Sequence, residues 1–377
     1  MRPGAPATPS EIHLSVKLLH VVGARPNFPK LAPVHRAACA AGLDQVVVHT
    51  GQHYDESLSE GFFRDLGIPA PDINLGVGSA SHAAQTARVM IGLEPVLMKQ
   101  KPDWLVVYGD VNSTMAAAIV ASKLGVKVAH VEAGLRSNDR TMPEEINRIV
   151  TDRLADLLLT PSRDADETLR AEGEPDEEIV FVGNVMIDTL YYSLDAAKRS
   201  GFRERLGVSD REAVAVTLHR PSNVDVPERL RAIAAALSEV ASERRVIFPV
   251  HPRTRQRLND LALEMGNVEL MEPLAYPEML DLVSGAHVVV TDSGGLQEET
   301  TALGVPCLTL RPNTERPITI TEGTNRLVQE PGELPALVRG ASRTNGARRP
   351  EGWDGSAGVR VVEALRSRQQ TAESRKQ

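Results

Sequence analysis

The chain of 377 residues is poor in cysteine, and this limits the functions that it can have. Cys39 and Cys307 are its two cysteines; they are far apart and neither belongs to a C-x-x-C pair. A disulfide framework and a structural zinc site are therefore not expected. No Cys and His cluster has the spacing of metal ligands, so we expect no metal.

Basic and aromatic residues are also scarce. Lys and Arg number 42 against 50 Asp and Glu, the net charge is -8, and Phe, Trp and Tyr make up 3% of the chain. Nucleic acids select basic faces and, when single-stranded, aromatic platforms. We therefore expect no nucleic-acid partner.

Long apolar segments are missing as well. No run of about 18 uninterrupted apolar residues occurs, and residues 1–11 lack the basic head and apolar middle of a signal peptide. The sequence thus predicts no membrane partner. Together with the cysteine content, this predicts a cytoplasmic protein.

The familiar nucleotide-binding fingerprints are absent. The first predicted strand is followed by Gly23-Ala24-Arg25-Pro26-Asn27 instead of G-x-G-x-x-G, and no G-x-x-x-x-G-K-[ST] is found. Bound NAD and a kinase-type phosphate loop are therefore not expected. We expect no cofactor.

Short β-branched runs alternate with helical segments, which is typical of parallel sheets built from βαβ units. The alternation stops at a charged connector and then starts again, so we expect two Rossmann-like domains with parallel sheets that face each other across a central cleft. The predicted strands are 16–22, 45–49, 104–108, 126–131, 157–160, 179–182, 214–218, 246–249, 268–271, 287–291 and 306–309, and the predicted helices are 29–41, 112–124, 143–155, 164–171 and 187–197.

The domain boundaries follow from this alternation. We expect an N-terminal domain over residues 1–182 and a C-terminal domain over 183–358, with 340–358 as a loop rich in Gly, Arg and Ser. A short last helix is predicted at 359–366, and 359–377 is expected to pack back on the first domain. Residues 368–377 are expected to be frayed.

Charged residues follow several predicted strands of the first domain. Arg25 and Lys30 are suited to hold phosphate oxygens, although a solvated surface loop explains them equally well. Asp110 is either an active-site carboxylate or a helix cap, and taken alone the cap is favoured. Glu132 directly follows a strand whose apolar sequence indicates burial. Burying an unpaired carboxylate costs free energy, so we expect this one to have a role. The same strand end and the helix after it also carry His130, Arg136, Asp139, Glu144, Glu145 and Arg148.

The second domain repeats this arrangement. His219 and Arg220 lie at one strand end, and Asp292 ends another strand before a helix opens at a glycine pair. Backbone N–H groups at such a helix start can hold a diphosphate. A structural role remains open for Glu299, because acids in a first turn favour the helix dipole, and Arg316 can belong to an ordinary exposed loop. The helix start comprises Ser293, Gly294 and Gly295.

Taken together, these segments resemble the non-hydrolysing UDP-N-acetylglucosamine 2-epimerases, two-domain enzymes of the GT-B fold. The resemblance runs from about Lys17 to Val328 and keeps its motifs in order, although no single motif would be specific. The motifs are GARPNFPKLAPV, TGQHYDESLSEGFF, YGDVNSTMAAA, HVEAGLRSNDRTMPEEINR, GNVMIDTL, TLHRPSN, PVHPRT, TDSGGLQEE and NTERP.

The resemblance implies roles for single residues. It makes Asp110, Glu132 and Glu144 the essential acids and His219 the active-site histidine. It also implies a set of residues that bind the substrate: Arg25 and Lys30 contact phosphate, Arg148 supports the site, Ser293, Gly294 and Gly295 form the diphosphate turn, Glu299 holds the ribose, and Arg316 lies on the UDP side.

The implied activity is the reversible conversion of UDP-N-acetylglucosamine to UDP-N-acetylmannosamine, a precursor for cell-surface polysaccharide. The carbon 2 proton is not next to a carbonyl, and without NAD no ketone can form beside it, so the reaction has to begin by expelling UDP from carbon 1. Oxocarbenium character then acidifies the carbon 2 proton, and its removal gives 2-acetamidoglucal. The resemblance also implies a homodimer.

One departure concerns regulation. Some members of the family bind UDP-N-acetylglucosamine as an activator, partly through a second glutamine at the position that Asp55 occupies here, and their loop before Pro143 is longer. Gln52, Glu145 and Arg220 of that possible allosteric site are present. Rival functions are a hydrolysing epimerase, a 2-epimerase of a related UDP-sugar, a GT-B glycosyltransferase and a nucleotide-sugar sensor.

Overall fold

Two parallel β-sheets form the framework of the chain in a computed structural model that describes residues 16–51, 63, 66–343 and 349–374. The first sheet has the order β3-β2-β1-β4-β5-β6-β7 and the second the order β10-β9-β8-β11-β12-β13. The predicted fold of two Rossmann-like domains is confirmed. The strands are β1 Lys17–Val22, β2 Asp44–His49, β3 Ile73–Asn74, β4 Trp104–Tyr108, β5 Lys127–Val131, β6 Leu157–Thr160, β7 Ile179–Phe181, β8 Val214–Thr217, β9 Val246–Pro249, β10 Glu269–Met271, β11 Val288–Thr291, β12 Cys307–Thr309 and β13 Asn325–Leu327.

Helices cover both faces of each sheet, so the central strands are buried and read as continuous apolar runs. Two short 3₁₀ turns, Arg25–Asn27 and Pro331–Glu333, precede helices. The described helices are α1 Phe28–Ala40, α2 His82–Gln100, α3 Asn112–Leu124, α4 Pro143–Leu154, α5 Arg163–Ala171, α6 Val185–Ser200, α7 Phe202–Arg205, α8 Pro221–Val224, α9 Pro227–Glu243, α10 Pro252–Asp260, α11 Tyr276–Ser284, α12 Gly294–Leu303, α13 Ile318–Thr321, α14 Leu334–Gly340 and α15 Ala357–Ser374.

Helix α6 connects the two sheets and touches elements on both sides of the cleft. It packs on α1 of the first domain and on α11 and α12 of the second. The hydroxyl of Thr189 on α6 donates a 2.5 Å hydrogen bond to the carbonyl oxygen of Pro29 on α1. The connection between the domains is therefore packed and hydrogen-bonded, which sets the position of one set of strand ends against the other.

The last helix packs back on the first domain. A Cβ on Gly358 would lie 2.6 Å from the carbonyl oxygen of Pro33, so glycine permits a close approach of α15 to α1. Asp188 of α6 accepts the main-chain N–H groups of Ala357 and Gly358, which begins the helix. The expectation that residues 368–377 are frayed is wrong over 368–374, because the helix continues to Ser374.

None of the helices described here has the length and hydrophobicity that are needed to cross a bilayer. Within the same residues, no group of three or more His, Cys, Asp or Glu side chains is arranged to hold a metal ion. The sheets lie within residues 17–181 and 214–327, whereas the exact domain boundaries remain a prediction.

Candidate active site

The turn after β1 is fixed by one asparagine side chain. Asn27 Oδ1 accepts hydrogen bonds from the main-chain N–H groups of Gly23 and Ala24, at 3.0 and 3.1 Å. Its Nδ2 donates to the carbonyl oxygen of Tyr108, at the end of β4, at 2.9 Å. The ends of β1 and β4 are thereby joined, and α1 starts where its Lys30 faces the cleft. The main chain of Arg25 lies in this turn, and its side chain is outside the described part of the structure.

Glu132 lies immediately after β5 and is held in an uncommon backbone conformation. Its φ is 76°, in the left-handed region that a long side chain rarely adopts. The carboxylate is buried and forms an ion pair with Lys30. Gly109 makes room for this pair, since a Cβ there would lie 2.5 Å from Lys30 Nζ. Backbone strain and a glycine therefore place one buried carboxylate beside one buried cation.

Asp110 forms the second carboxylate of this edge. Arg148 Nη2 on α4 donates to Asp110 Oδ2 at 2.5 Å, and Arg148 Nη1 contacts Glu145 at 3.0 Å. Burial alone would raise the pKa of Asp110, but the positive charges of Arg148 and Lys30 lower it below the usual carboxyl value. Asp110 is therefore held as a carboxylate.

Glu144 and Glu145 are adjacent in sequence but have different surroundings. Glu145 is buried and accepts hydrogen bonds from the main-chain N–H groups of Ser137 and Asn138, so it fastens the loop before α4. Glu144 is exposed in the first turn of α4, and the structure does not bring it into the buried cluster. The catalytic role of Glu144 stays a prediction.

Gln52, which the sequence suggests for an allosteric site, lies outside the described residues.

The second domain contributes a cavity of about 370 Å³ at the start of α12. Gly295 faces open space, and Gly294 packs closely, since a Cβ on it would lie 2.9 Å from both Arg316 Nη1 and Glu315 Oε1. Close packing therefore excludes a side chain at Gly294, whereas the absence of one at Gly295 leaves the cavity open. The cavity is lined by Met186, Thr217, Leu218, His219, Pro249, His251, Pro273, Leu274, Tyr276, Met279, Ser293, Gly295, Leu296 and Glu299.

Glu299 is a buried acid in this cavity. Burial raises the pKa of Glu299 to about 7, and its Oε1 accepts a 2.9 Å hydrogen bond from the hydroxyl of Tyr276. His219 lies at another wall, with 47% of its side chain exposed, and Arg220 donates from Nε to the carbonyl oxygen of Asp292. The cavity is thus lined mainly by apolar side chains together with a few polar groups, which is common in ligand sites.

Arg316 connects the second domain to the first. Its guanidinium contacts three carboxylates: Glu132 at 2.9 Å, Glu298 at 2.8 Å and Glu315 at 2.6 Å. Burial alone would lower the pKa of Arg316, but these negative charges raise it above its usual value. Arg316 is thus a buried cation that spans the cleft.

The sequence interpretation did not identify all of this cluster. Glu315 was missed, although it pairs with Arg311 at 2.8 Å, and the i,i+4 spacing of these two residues was a usable signal. Tyr276 was also missed, because nothing local marks it as the partner of Glu299. The structure brings together the following predicted residues: Lys30, Asp110, Glu132, Arg148, Gly294 and Arg316 around the cleft, and His219, Ser293, Gly295 and Glu299 around the cavity.

Comparison with known proteins places this site in a family. The sequence profile described as UDP-N-acetylglucosamine 2-epimerase matches residues 35–366. A UDP-N-acetylglucosamine 2-epimerase homolog of Methanococcus maripaludis is 42% identical, over 93% of this chain and 100% of that protein. A Pseudomonas aeruginosa UDP-2,3-diacetamido-2,3-dideoxy-D-glucuronate 2-epimerase is 43% identical, over 88% and 92%.

Solved structures agree with the sequence comparison. The crystal structure of Methanocaldococcus jannaschii UDP-GlcNAc 2-epimerase in complex with UDP-GlcNAc and UDP is 40% identical, with a TM-score of 0.84 over 93% of this chain and 100% of that chain. The ligands named for that structure are UDP-GlcNAc and UDP. The chain belongs to the UDP-N-acetylglucosamine 2-epimerase family, whose members are isomerases.

Proposed function

We propose that the protein interconverts UDP-N-acetylglucosamine and UDP-N-acetylmannosamine by inversion at carbon 2. The observation that carries this proposal is the contact between Arg316, which lies beside Gly294 at the start of α12, and Glu132, a buried carboxylate of the other domain. A cation for the leaving diphosphate and a base for the sugar ring are thereby adjacent. Relatives that carry this activity in their names support the substrate class.

The reaction begins with departure of UDP from carbon 1. The carbon–oxygen bond breaks with its electron pair on the diphosphate, and the sugar gains oxocarbenium character. Lys30, Arg316 and the N–H groups at the start of α12 are suited to stabilise the charge on UDP. Removal of one such aimed donor costs roughly 3 kcal/mol of transition-state stabilisation in known enzymes.

The second step is loss of the carbon 2 proton to a carboxylate, which gives 2-acetamidoglucal. A proton then returns to the opposite face of carbon 2 and UDP adds back at carbon 1, so atoms and charge balance without a cofactor. The acids for the two faces come from Asp110, Glu132 and Glu144. Asp110 and Glu132 are ion-paired and suited to accept a proton once substrate displaces a partner.

Further elements of the proposal extend beyond the reaction. Arg25 would contact the diphosphate, and Arg148 would support the acids. Ser293 would bind the diphosphate, and Glu299 would hold the ribose. We retain a homodimer, a cytoplasmic location and supply of a polysaccharide precursor as proposals. Both oxygens of Glu145 accept hydrogen bonds from this chain and Arg220 donates to Asp292, so an activating UDP-N-acetylglucosamine would have to replace these contacts.

A second substrate is favoured by one comparison. The Pseudomonas aeruginosa relative, named for UDP-2,3-diacetamido-2,3-dideoxy-D-glucuronate, is as similar to this chain as the relatives named for UDP-N-acetylglucosamine. Both sugars carry a 2-acetamido group on a UDP-linked ring, so the same elimination serves both. The diacetamido-glucuronate carries an additional acetamido group and a carboxylate, which UDP-N-acetylglucosamine lacks.

The test is to incubate the purified protein separately with each UDP-sugar and to follow the anomeric signals by NMR. We expect UDP-N-acetylglucosamine to reach equilibrium with UDP-N-acetylmannosamine as the minor species. Turnover of the diacetamido-glucuronate alone would assign the second substrate instead. Free N-acetylmannosamine would indicate a hydrolysing enzyme, and inertness toward both sugars would refute the proposed function.

A further inference from the structure

His219 and Asp292 form a side-chain pair where two neighbouring strands of the second sheet end. His219 comes two residues after β8 and Asp292 one residue after β11. His219 Nδ1 lies 3.0 Å from Asp292 Oδ1; the imidazole is 47% exposed and the carboxylate 0%. The pair therefore connects a ring that lines the cavity to a fully buried negative charge.

The remaining partners of Asp292 are hydrogen-bond donors. Its carboxylate accepts the main-chain N–H groups of His219, at 3.1 Å, and Arg220, at 3.0 Å, and Nδ2 of Asn223, at 3.1 Å. Burial alone would raise the pKa of Asp292, but hydrogen bonds from His219 and Arg220 lower it below the usual value. An ionised carboxylate only accepts hydrogen bonds, so the His219 nitrogen that faces it carries a proton.

The orientation of the ring follows from this bond. With Nδ1 directed at Asp292, Nε2 is the free nitrogen, and it has no hydrogen-bond partner among the residues that the structure describes. The ring of His251 lies 6.4 Å away, measured between centroids, and Arg220 is adjacent in sequence. These neighbours leave Nε2 available to a ligand in the cavity.

We propose that Asp292 is a positioning residue that holds a proton on Nδ1 of His219 and fixes the direction of the ring, so that Nε2 faces the diphosphate of the UDP-sugar. The proposal rests on the proposed function and deepens it. As the bond from carbon 1 to oxygen breaks, the electron pair moves to the diphosphate oxygen. The ring acts in its protonated form: Asp292 accepts from Nδ1–H, and Nε2–H donates a hydrogen bond to the departing oxygen. The buried carboxylate on Nδ1 stabilises the positive charge of the ring, as it does in other carboxylate–histidine pairs.

Kinetics of single and double variants test whether the two residues act as one unit. We expect Asp292→Asn to lower kcat by about 10²-fold or more, within the range for loss of a positioned proton donor, and to change KM less. In the His219→Gln background, Asp292→Asn should have no further effect on kcat. Losses that multiply in the double variant would overturn the proposal.

A matched control separates positioning from general damage to the domain. Asp281 is also a buried aspartate of the second domain, and it accepts hydrogen bonds from the main-chain N–H of Arg203 at 2.9 Å and from its Nε at 3.2 Å. Asp281→Asn should reduce stability and leave kcat near the wild-type value. Equal losses of kcat in Asp281→Asn and Asp292→Asn would point to a structural role for Asp292.

Protonation of Nδ1 can be measured in the free wild-type protein, even if Asp292→Asn fails to fold. In ¹⁵N-histidine-labelled protein, the His219 signals are assigned by their loss in His219→Gln. We expect Nδ1 to carry a proton in the wild type; a bare Nδ1 with the proton on Nε2 alone would overturn the pairing. Because this measurement needs no substrate, it is independent of the proposed function, which fails separately if no UDP-sugar is turned over.

Discussion

Arg316 Nη2 donates a 2.9 Å hydrogen bond to Glu132 Oε1 and so joins two residues that are 184 positions apart in the chain. One lies in a loop of the second domain and the other at a strand end of the first. Neither domain alone therefore contains the site. A bound diphosphate would compete with Glu132 for the guanidinium of Arg316. Substrate binding would thereby free the Glu132 carboxylate to act as a base.

Arg316→Lys should destabilise the protein and weaken UDP binding. A lysine ammonium cannot reach the three carboxylates that the guanidinium contacts, and uncompensated buried charges cost about 3–5 kcal/mol. Urea denaturation and titration with UDP measure the two effects. Arg245→Lys is the control, because Arg245 pairs with Glu269 near the surface and should cost about 1 kcal/mol or less. Similar stability of both variants would contradict the role of Arg316.

Glu132→Gln should lower kcat by about 10²–10⁴-fold, because glutamine cannot accept the carbon 2 proton. The side-chain shape is kept, so UDP should still bind. Asp110→Asn and Glu144→Gln are expected to lower turnover as well, and Glu269→Gln, at the surface pair with Arg245, should not. Turnover near wild type in all three acid variants would show that the acids were assigned wrongly.

The glycine pair gives a prediction with its own control. Gly294→Ala should reduce stability, because the new Cβ would lie 2.9 Å from Arg316 and Glu315. Gly295→Ala meets no atom within 4 Å and should keep stability, while its methyl group enters the space that we assign to the diphosphate and weakens UDP binding. Thermal melts and UDP titrations distinguish the two. Equal loss of stability would argue against the close packing at Gly294.

The raised pKa of Glu299 predicts a pH-dependent stability. Between the usual carboxyl value of 4.5 and about 7, the unfolded chain releases a proton that the folded protein retains, so stability falls as pH rises. Glu299→Gln removes this penalty, which is on the order of 3 kcal/mol above pH 7. Denaturation at pH 5 and pH 8 should show the variant gaining stability relative to wild type at the higher pH. A difference that is independent of pH would contradict the shift.

Much of the fold was predictable from sequence because buried parallel strands are continuous apolar runs. The strands at Trp104–Tyr108, Leu157–Thr160 and Val246–Pro249 were predicted with the bounds found in the structure. Strand β3 was missed because two residues carry too little pattern, and strand β13, in which Asn325 and Arg326 precede a single apolar residue, was missed as well. Helix α2 was missed although Val89, Leu93 and Leu97 recur every fourth residue and are buried.

The site was predictable where residues directly follow strands, since the carboxyl ends of parallel strands share one edge. Asp110 and Glu132 are examples. The contact of Arg316 with Glu132 was not predictable, because it depends on how two separately folded sheets are oriented. The positive φ of Glu132 likewise comes from tertiary packing and leaves no local signal in its sequence.

The proposed reaction requires that UDP leaves and returns, with the carbon 2 proton exchanging in between. It is tested most directly by incubating UDP-N-acetylglucosamine, labelled with ¹⁸O at the oxygen between carbon 1 and phosphorus, with the protein in heavy water. We expect deuterium at carbon 2 together with scrambling of the label into the non-bridging positions of the β-phosphate. Epimer formed without deuterium at carbon 2, or with the label still bridging, would contradict it.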